Sequence, residues 1–235
     1  MTGPISLPSA PEWAIVALSL KVSGWAIMLT LPLAFALAWV LARRNFPGKI
    51  LLDALVHLPL VVPPVVTGWL LLLAFGANGP LGRFFGDWLG LTFMFRWTGA
   101  ALASAVMALP LMVRAIRISI EGVDRRLEGA ARTLGAGRWR TFAAITLPLS
   151  LPGILAGAVL GFARSLGEFG ATITFVSNVP GETQTLPLAI YAALQRPDGE
   201  AMVTRLAVIS VALSLAALVA SEALARRAGK DRHVL

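Results

Sequence analysis

Residues 128–148 read EGAARTLGAGRWRTFAAITLP, and this stretch guides the interpretation of the whole chain. It is a long polar segment in a very apolar protein, and it ends in Leu147-Pro148. The hydrophobic runs on either side approach the roughly 20 residues needed to cross a bilayer. The stretch therefore predicts a short helix that is held outside the membrane and is accessible to other proteins.

The composition is typical of a membrane protein. Of the 235 residues, 57% are hydrophobic and 14% are charged, whereas a soluble domain usually has about 25% charged residues. The chain contains no Cys, which excludes disulfides and Cys-ligated metals. His57 and His233 are far apart and match no metal-ligand motif, so we expect neither a metal nor another cofactor.

The formal net charge of +8 is concentrated beside the hydrophobic runs. This is the positive-inside pattern of a protein with several membrane spans, and it argues against the nucleic-acid binding that a basic soluble protein would suggest. The three basic clusters are Arg43, Arg44 and Lys49; Arg114, Arg117, Arg125, Arg126, Arg132, Arg138 and Arg140; and Arg226, Arg227, Lys230 and Arg232.

Hydropathy predicts an all-α polytopic bundle, with membrane lipid around it. The transmembrane domain covers 13–225, and its five predicted helices are 13–42, 50–75, 98–118, 149–166 and 202–221.

The basic loops set the predicted orientation. The loops at 43–49 and 119–148 belong inside on charge, and two spans separate them. Two further spans lead to the basic tail at 226–235, which is then cytoplasmic, and the lead at 1–12 is external. A sixth span at 169–191 would put the tail outside, so this apolar segment is predicted to be an external or re-entrant excursion.

The second span contains prolines at its centre, where 57–68 read HLPLVVPPVVTG. Pro59, Pro63 and Pro64 remove backbone donors and break or kink a helix. A broken helix in lipid must be buried in protein or line a wet cavity. We therefore predict that Pro63, Pro64 and Thr67 line a pathway, and a simple packing kink is the alternative.

Glycines recur at four-residue spacing in the fourth span, at Gly153, Gly157 and Gly161. Such a stripe of small residues allows another helix to approach closely. Five spans leave little room for a closed path, so we expect two copies of the chain to form a pore, with this stripe as a packing face.

The polar stretch has the features of a short helix. Asp124 can cap its start and Gly135 can end it, while Glu128 and Arg132 have the spacing of an ion pair. An isolated helix of this length is unstable in water, so it must dock on something, although an ordinary solvated loop helix is equally compatible with the pattern. The apolar face consists of Leu127, Ala130, Ala131 and Leu134.

The same stretch resembles the EAA loop of ABC-importer permeases. The matching residues are Gly129-Ala130-Ala131, then Gly135, then Ile145-Thr146-Leu147-Pro148, with Gly129 in place of the motif glutamate and Glu128 one residue earlier. The resemblance implies a coupling helix that docks on an ATP-binding subunit. The coupling residues it implies are Leu127, Glu128, Gly129, Ala130, Ala131, Arg132, Leu134 and Gly135.

Four other stretches resemble molybdate-transporter permeases: ARRNFPGK at 42–49, LPLVVPPVVTG at 58–68, ARSLGEFGATITFVSN at 163–178 and PGETQTLPLAIY at 180–191. Sulfate/thiosulfate permeases share part of this pattern and are the close alternative. The resemblance implies an ABC type I importer permease fold in the bacterial inner membrane. It also implies ATPase subunits inside and a periplasmic molybdate-binding protein outside.

Arg164 and Glu168 are ionisable residues in an apolar region, where charges are costly. Their spacing allows a mutually satisfied pair or a helix clamp, and the alternative is a pair that shapes a gate. Thr172 is a candidate for the anion path, as are the hydroxyls of Thr174, Ser177, Thr183 and Thr185, although surface or turn roles fit each of these equally well.

No Gly-rich phosphate loop with Gly-Lys-Ser/Thr occurs in the sequence. We therefore expect this chain not to be an enzyme and to depend on a separate ATP-hydrolysing subunit. A secondary transporter driven by an ion gradient is a less favoured alternative, since that class lacks a coupling loop.

Overall fold

The computed structural model describes residues 9–230, with the backbone alone at 221–222 and 224–230. Within that range the regular structure is helical and no strand occurs. A π-helical turn, Phe142–Thr146, joins α7 to α8. The helices are α1 (Ala10–Arg43), α2 (Lys49–Val61), α3 (Pro64–Phe75), α4 (Pro80–Leu89), α5 (Trp97–Glu121), α6 (Arg125–Thr133), α7 (Arg138–Thr141), α8 (Leu147–Leu166), α9 (Gly170–Val176), α10 (Leu186–Leu194) and α11 (Glu200–Lys230).

The long helices match the predicted spans. Four described segments are long and apolar enough to cross a membrane: Ala10–Arg43, Trp97–Glu121, Arg138–Leu166 and Glu200–Ala220. The pair α2 and α3 has the length and composition of a fifth span, but it is bent by 115°. With this bent pair counted once, the predicted five-span all-α bundle is confirmed.

Proline chemistry explains the break between α2 and α3. Pro63 and Pro64 have no backbone N–H, so α2 cannot continue through them. Pro64 instead begins α3, at a position where the missing donor costs nothing. Pro59 is accommodated inside α2, so the break predicted for this segment occurs at the Pro63-Pro64 pair.

Helix α5 is the centre of the bundle and packs against α1 and α8. The main core joins the C-terminal halves of α1 and α5 to α8, with Ala38 and Leu41 of α1 against Met112 and Ile116 of α5. A second core brings Phe175 of α9 against α1, α3 and α5. A third core joins the N-terminal part of α1 to α10 and α11.

The glycine stripe of α8 packs against α5 of the same chain. This corrects the expectation that the stripe packs one copy of the chain against another. A Cβ at Gly153 would collide with Ser119 of α5, and one at Gly157 would lie 3.2 Å from Ile116 Cγ1. A Cβ at Gly161 would lie 2.7 Å from Met112 Cγ. The stripe therefore lets α8 approach α5 closely, and it is already occupied.

The segment 169–191 does not form a long helix. It contains α9, of seven residues, and part of α10, of nine residues, and both are shorter than the ~20 residues needed to span a bilayer. The predicted excursion agrees with this arrangement. Most of the predicted N-terminal lead, and residues 231–235 of the predicted tail, lie outside the described residues.

Candidate coupling site and gate

Helix α6 begins and ends at the residues that the sequence indicates. The Asp124 side chain accepts a hydrogen bond from Arg126 N at 2.8 Å and caps the start of the helix. At the other end Gly135 adopts a left-handed φ of +84°. Its N–H donates to Arg132 O, and the N–H of Ala136 donates to Ala131 O, which is a Schellman ending.

The carboxylate of Glu128 anchors α6 to the membrane bundle. It accepts a hydrogen bond from Arg43 Nη2 of α1 at 2.8 Å and another from Thr146 Oγ1, just before α8, at 2.7 Å. No ion pair between Glu128 and Arg132 occurs in the described part of the chain, so the predicted pair within α6 is wrong. Glu128 pairs with Arg43 and Thr146 instead of Arg132. Arg43 is largely buried and therefore needs a counter-charge more than Arg132 does.

The predicted apolar face of α6 is exposed to solvent. Leu127 is 48% exposed and Leu134 is 88% exposed, and Ala130 is exposed beside them. Trp139 of α7 is 84% exposed. An uncovered row of apolar side chains on a short polar helix has the character of a docking surface.

The opposite face of α6 turns toward the bundle. Arg125, Glu128, Gly129 and Arg132 share this face at helical spacing, and all four line a cavity against the C-terminal end of α1. A Cβ added at Gly129 meets nothing within 4 Å. The position of the motif glutamate, Gly129, therefore has free space around it. Glu128, one residue earlier, makes the contact with the bundle.

An aromatic cluster packs the segment that follows α7 against α1. The ring of Phe142 lies 5.0 Å from that of Trp39 and 6.0 Å from that of Phe35, both on α1. Trp139 also lies edge-on to Phe142 at 6.4 Å. This cluster and the Glu128 contacts connect α6 and α7 to α1 and α8.

The pathway candidates divide into exposed and buried residues. Pro63 and Pro64 are exposed at the α2–α3 break, whereas Thr67 is 7% exposed and Thr172 of α9 is 1% exposed. The two threonines lie on α3 and α9, which pack closely because Gly68 and Gly170 leave no room for a side chain. The structure therefore brings these candidates into one region but leaves the two threonines covered.

The predicted pair of Arg164 and Glu168 is present, with Arg164 Nη1 2.6 Å from Glu168 Oε2. The Glu168 side chain is 2% exposed, and it also accepts a hydrogen bond from Ala171 N at 2.8 Å. Glu168 thus satisfies a free N–H in the first turn of α9 as well as the charge of Arg164. The pair joins the end of α8 to the start of α9.

The other candidate hydroxyls are mostly engaged by backbone. Thr174 donates to Gly170 O, and Thr183 donates to Ser177 O while accepting from Val179 N. These contacts stabilise the α9–α10 connection and fit the turn role. Thr185 Oγ1 differs, because it is buried and has no hydrogen-bond partner within the described residues.

Residues 30–230 match the family described as "Binding-protein-dependent transport system inner membrane component". The chain belongs to this family. As such an inner membrane component it is 61% identical over 224 residues to the Molybdenum transport system permease protein ModB of Escherichia coli (strain K12), which covers 94% of this chain and 98% of that relative. The ModB of Haemophilus influenzae is 58% identical over 219 residues, with 93% and 96% covered.

More distant comparisons agree with the family. The Sulfate transport system permease protein CysT of Escherichia coli (strain K12) is 39% identical over 197 residues, 83% of this chain and 69% of that relative. A chain of the bacterial ABC transporter that imports alginate superposes with a TM-score of 0.72 at 19% identity, covering 94% of this chain and 80% of that chain. That likeness establishes the fold, which is that of an ABC importer permease, and the family makes this component a multi-pass inner-membrane protein.

The sequence of this inner membrane component does not indicate which charged residues pair between helices. Arg205 of α11 bonds Glu12 at the start of α1, and Arg117 of α5 bonds Asp53 of α2. Arg43 lies in a basic cluster of the sequence, and only the structure shows that it holds Glu128. No local pattern marks such pairs, since Arg43 and Glu128 are 85 residues apart in the chain.

Proposed function

We propose that this chain is the membrane-spanning permease subunit of an ATP-driven ABC importer that moves molybdate across the inner membrane. The observation that carries the proposal is the 61% identity to a molybdenum transport permease over almost the full length of both chains. The sulfate relative, at 39% identity, makes a sulfate/thiosulfate permease the second candidate.

In this proposal α6 is the coupling helix. Its exposed apolar face, with Leu127, Ala130 and Leu134, enters a groove on a separate ATP-hydrolysing subunit, and this chain itself does not hydrolyse ATP. When ATP closes the two ATPase subunits, α6 is displaced. Glu128 passes the displacement to Arg43 on α1 and to Thr146 before α8, and so to two spans at once.

The gate in this proposal is the packed pair of α3 and α9. The bend at Pro63-Pro64 leaves α3 free to tilt relative to α2, and the Arg164–Glu168 pair makes the start of α9 follow the end of α8. Movement of α8 would then separate α9 from α3 and uncover Thr67 and Thr172 to the anion. We place the path between two copies of the chain, as part of an alternating-access cycle.

The proposed orientation puts the N-terminus outside and both α6 and the C-terminus in the cytoplasm. It rests on the basic residues that follow α1 and α5. A periplasmic molybdate-binding protein would deliver substrate at the opposite end of the bundle. Selection would lie mainly in that protein.

Uptake in a strain that lacks its own molybdate permease tests the substrate. The strain expresses this chain with its partner ATPase and binding protein, and it receives labelled molybdate or labelled sulfate. We expect uptake of molybdate well above that of sulfate. Preferential uptake of sulfate would instead identify the chain as a sulfate/thiosulfate permease.

Dependence on ATP tests the transporter class. The same strain is assayed with an ATPase subunit that binds but cannot hydrolyse ATP. We expect uptake to fall to background, because the ATPase subunits then stay closed on ATP and the coupling helix cannot return for another cycle. Uptake that persists and follows the ion gradient would indicate a secondary transporter.

A further inference from the structure

A polar cavity of about 480 Å³ lies between the inner end of α1 and the inward face of α6. This size is within the range of small-molecule sites, roughly 300–1,000 Å³. The cavity is strongly basic, because five guanidinium groups and one carboxylate line it. These groups belong to Arg43, Arg44, Arg125, Arg132, Arg138 and Glu128.

Among the residues that the structure describes, a single carboxylate offsets part of the positive charge of the cavity. Glu128 is already engaged by Arg43 Nη2 and Thr146 Oγ1. The side chain of Arg43 is only 10% exposed, and its buried Nε has no hydrogen-bond partner among residues 9–230. Arg44 and Arg138 make no ion pair in the described part of the chain. Five guanidinium groups around one engaged carboxylate favour an anionic ligand with several oxygen acceptors.

The position of the cavity identifies the source of that anion. Trp39 and Phe142 line its apolar side, and α1 continues from Trp39 into the membrane span. Tryptophans occur preferentially at the level of the lipid headgroups. The apolar face of α6 points the other way, so the cavity and the proposed ATPase groove use opposite faces of one helix.

The geometry points to a binding site for the phosphate headgroup of an anionic phospholipid, such as phosphatidylglycerol or cardiolipin, from the inner leaflet. This inference rests on the cytoplasmic placement of α6 in the proposed function. The headgroup would be held by the guanidinium groups that line the cavity, tying the coupling helix to the membrane surface. Basic pockets at the cytoplasmic ends of membrane helices commonly bind such lipids.

Native mass spectrometry of the purified transporter complex tests this. The complex is stripped of loosely bound lipid and then given vesicle lipid that contains phosphatidylglycerol and cardiolipin. The test variant is Arg44→Gln/Arg138→Gln, since both residues are exposed and removing their charge should not disturb folding. The matched control is Arg83→Gln/Arg96→Gln, which removes the same charge near α4 and the start of α5.

We expect the complex to retain an anionic phospholipid, and the test variant to bind it roughly thirty-fold less tightly, if each arginine near the surface contributes ~1 kcal/mol. The control should bind as the unaltered protein does. Equal loss in the control, or no retained anionic lipid, would overturn the proposal.

Two further arms separate the possible sources of the anion. Displacement of the lipid by millimolar inorganic phosphate or molybdate would reassign the cavity to a small oxyanion. Loss of ATPase co-purification in the test variant, with lipid retention unchanged, would reassign it to the protein partner. Lipid retention is measured without a transport assay. The lipid-binding result therefore stands or fails separately from the molybdate uptake result.

Discussion

Glu128 departs from the EAA motif in position but still holds α6 against the bundle. It stands one position before the motif glutamate, and its carboxylate points inward to Arg43 and Thr146. The open space around Gly129 means that nothing steric excludes a side chain there. The chain has therefore placed its acidic anchor on the face of α6 that meets the bundle.

We expect Glu128→Gln to reduce uptake about ten-fold while the spans still insert. The change removes a charge-assisted contact, which contributes ~1.5–3 kcal/mol, and leaves Arg43 without its counter-charge. Labelled molybdate uptake, normalised to the amount of protein in the membrane, measures the effect. Asp87→Asn is the control, because that carboxylate is exposed on α4 and makes no ion pair among the described residues. Equal uptake by the two variants would contradict the anchoring role.

Glu168→Gln tests whether the Arg164–Glu168 pair shapes the gate. Glutamine keeps an acceptor for Ala171 N–H but leaves Arg164 without a charge partner. We expect uptake to fall at least about five-fold, since loss of one ion-pair contact of ~1 kcal/mol or more changes an equilibrium by that factor. Complex assembly, followed by size-exclusion chromatography, should be normal.

The control for Glu168→Gln is Glu200→Gln, which removes an exposed carboxylate in the first turn of α11. Normal uptake and assembly in Glu168→Gln would leave the pair as a structural clamp alone.

At the scale of elements, α6 is short but has two distinct faces. Its polar face is anchored to α1, while its apolar face is exposed. Isolated helices of fewer than about 12 residues are marginal in water, so the nine residues of α6 depend on their caps and on the Glu128 contacts. This arrangement keeps the apolar face presented before any partner binds.

Ala130→Glu should prevent docking without affecting insertion. Ala130 is exposed at the centre of the apolar face, so the new carboxylate would be tolerated in the free chain but would have to be buried in an apolar groove. We expect co-purification of the ATPase subunit to fall at least ten-fold. Ala77→Glu, in the exposed loop after α3, is the control. Normal co-purification and uptake by Ala130→Glu would refute the coupling role of α6.

Gly153→Val should destabilise the bundle by driving α8 away from α5. A Cβ there meets Ser119, which also donates a hydrogen bond to Ser150 O at 3.3 Å. Overpacking of this kind costs about 1–3 kcal/mol, so the thermal unfolding midpoint in detergent should fall by several degrees. Gly86→Val is the matched control, because a Cβ at Gly86 has open space around it. Equal midpoints for both variants would contradict the α5–α8 packing.

At the scale of the whole molecule, large apolar areas remain uncovered in the single chain. Val61 is 83% exposed, Trp69 on α3 is 51% exposed, and Val219 on α11 is 66% exposed. A soluble monomer would not expose such surfaces. Lipid and the proposed second copy account for them, and the faces near the α2–α3 bend are the ones we assign to the second copy.

The absence of Cys makes the proposed orientation directly testable. Single Ala77→Cys and Asn45→Cys variants are treated with a membrane-impermeant maleimide on intact spheroplasts. Both positions are exposed and neither lies on the proposed docking face of α6, so access depends on the side of the membrane. We expect labelling of the Ala77→Cys variant only, and labelling of both after the cells are opened. Labelling of the Asn45→Cys variant in intact spheroplasts would reverse the orientation.

The helices and their limits were largely predictable from the sequence, because residues close together in the chain determine them. Apolar runs longer than the bilayer core become spans, Asp124 and Gly135 delimit α6, and the Pro63-Pro64 pair interrupts the second span. The exposed apolar face of α6 followed from its helical periodicity. The bend of 115° did not follow, because proline prevents a helix from continuing without specifying the direction in which the next helix leaves.

The sequence by itself determined the span number, the short polar helix and its apolar face, since each depends on residues close together in the chain. Only the tertiary structure decided which partners those residues meet. Glu128 is held by Arg43 rather than Arg132, and the Gly153 stripe receives α5 of the same chain rather than a second copy. Both choices depend on how helices far apart in sequence are brought together, and local periodicity carries no information about that.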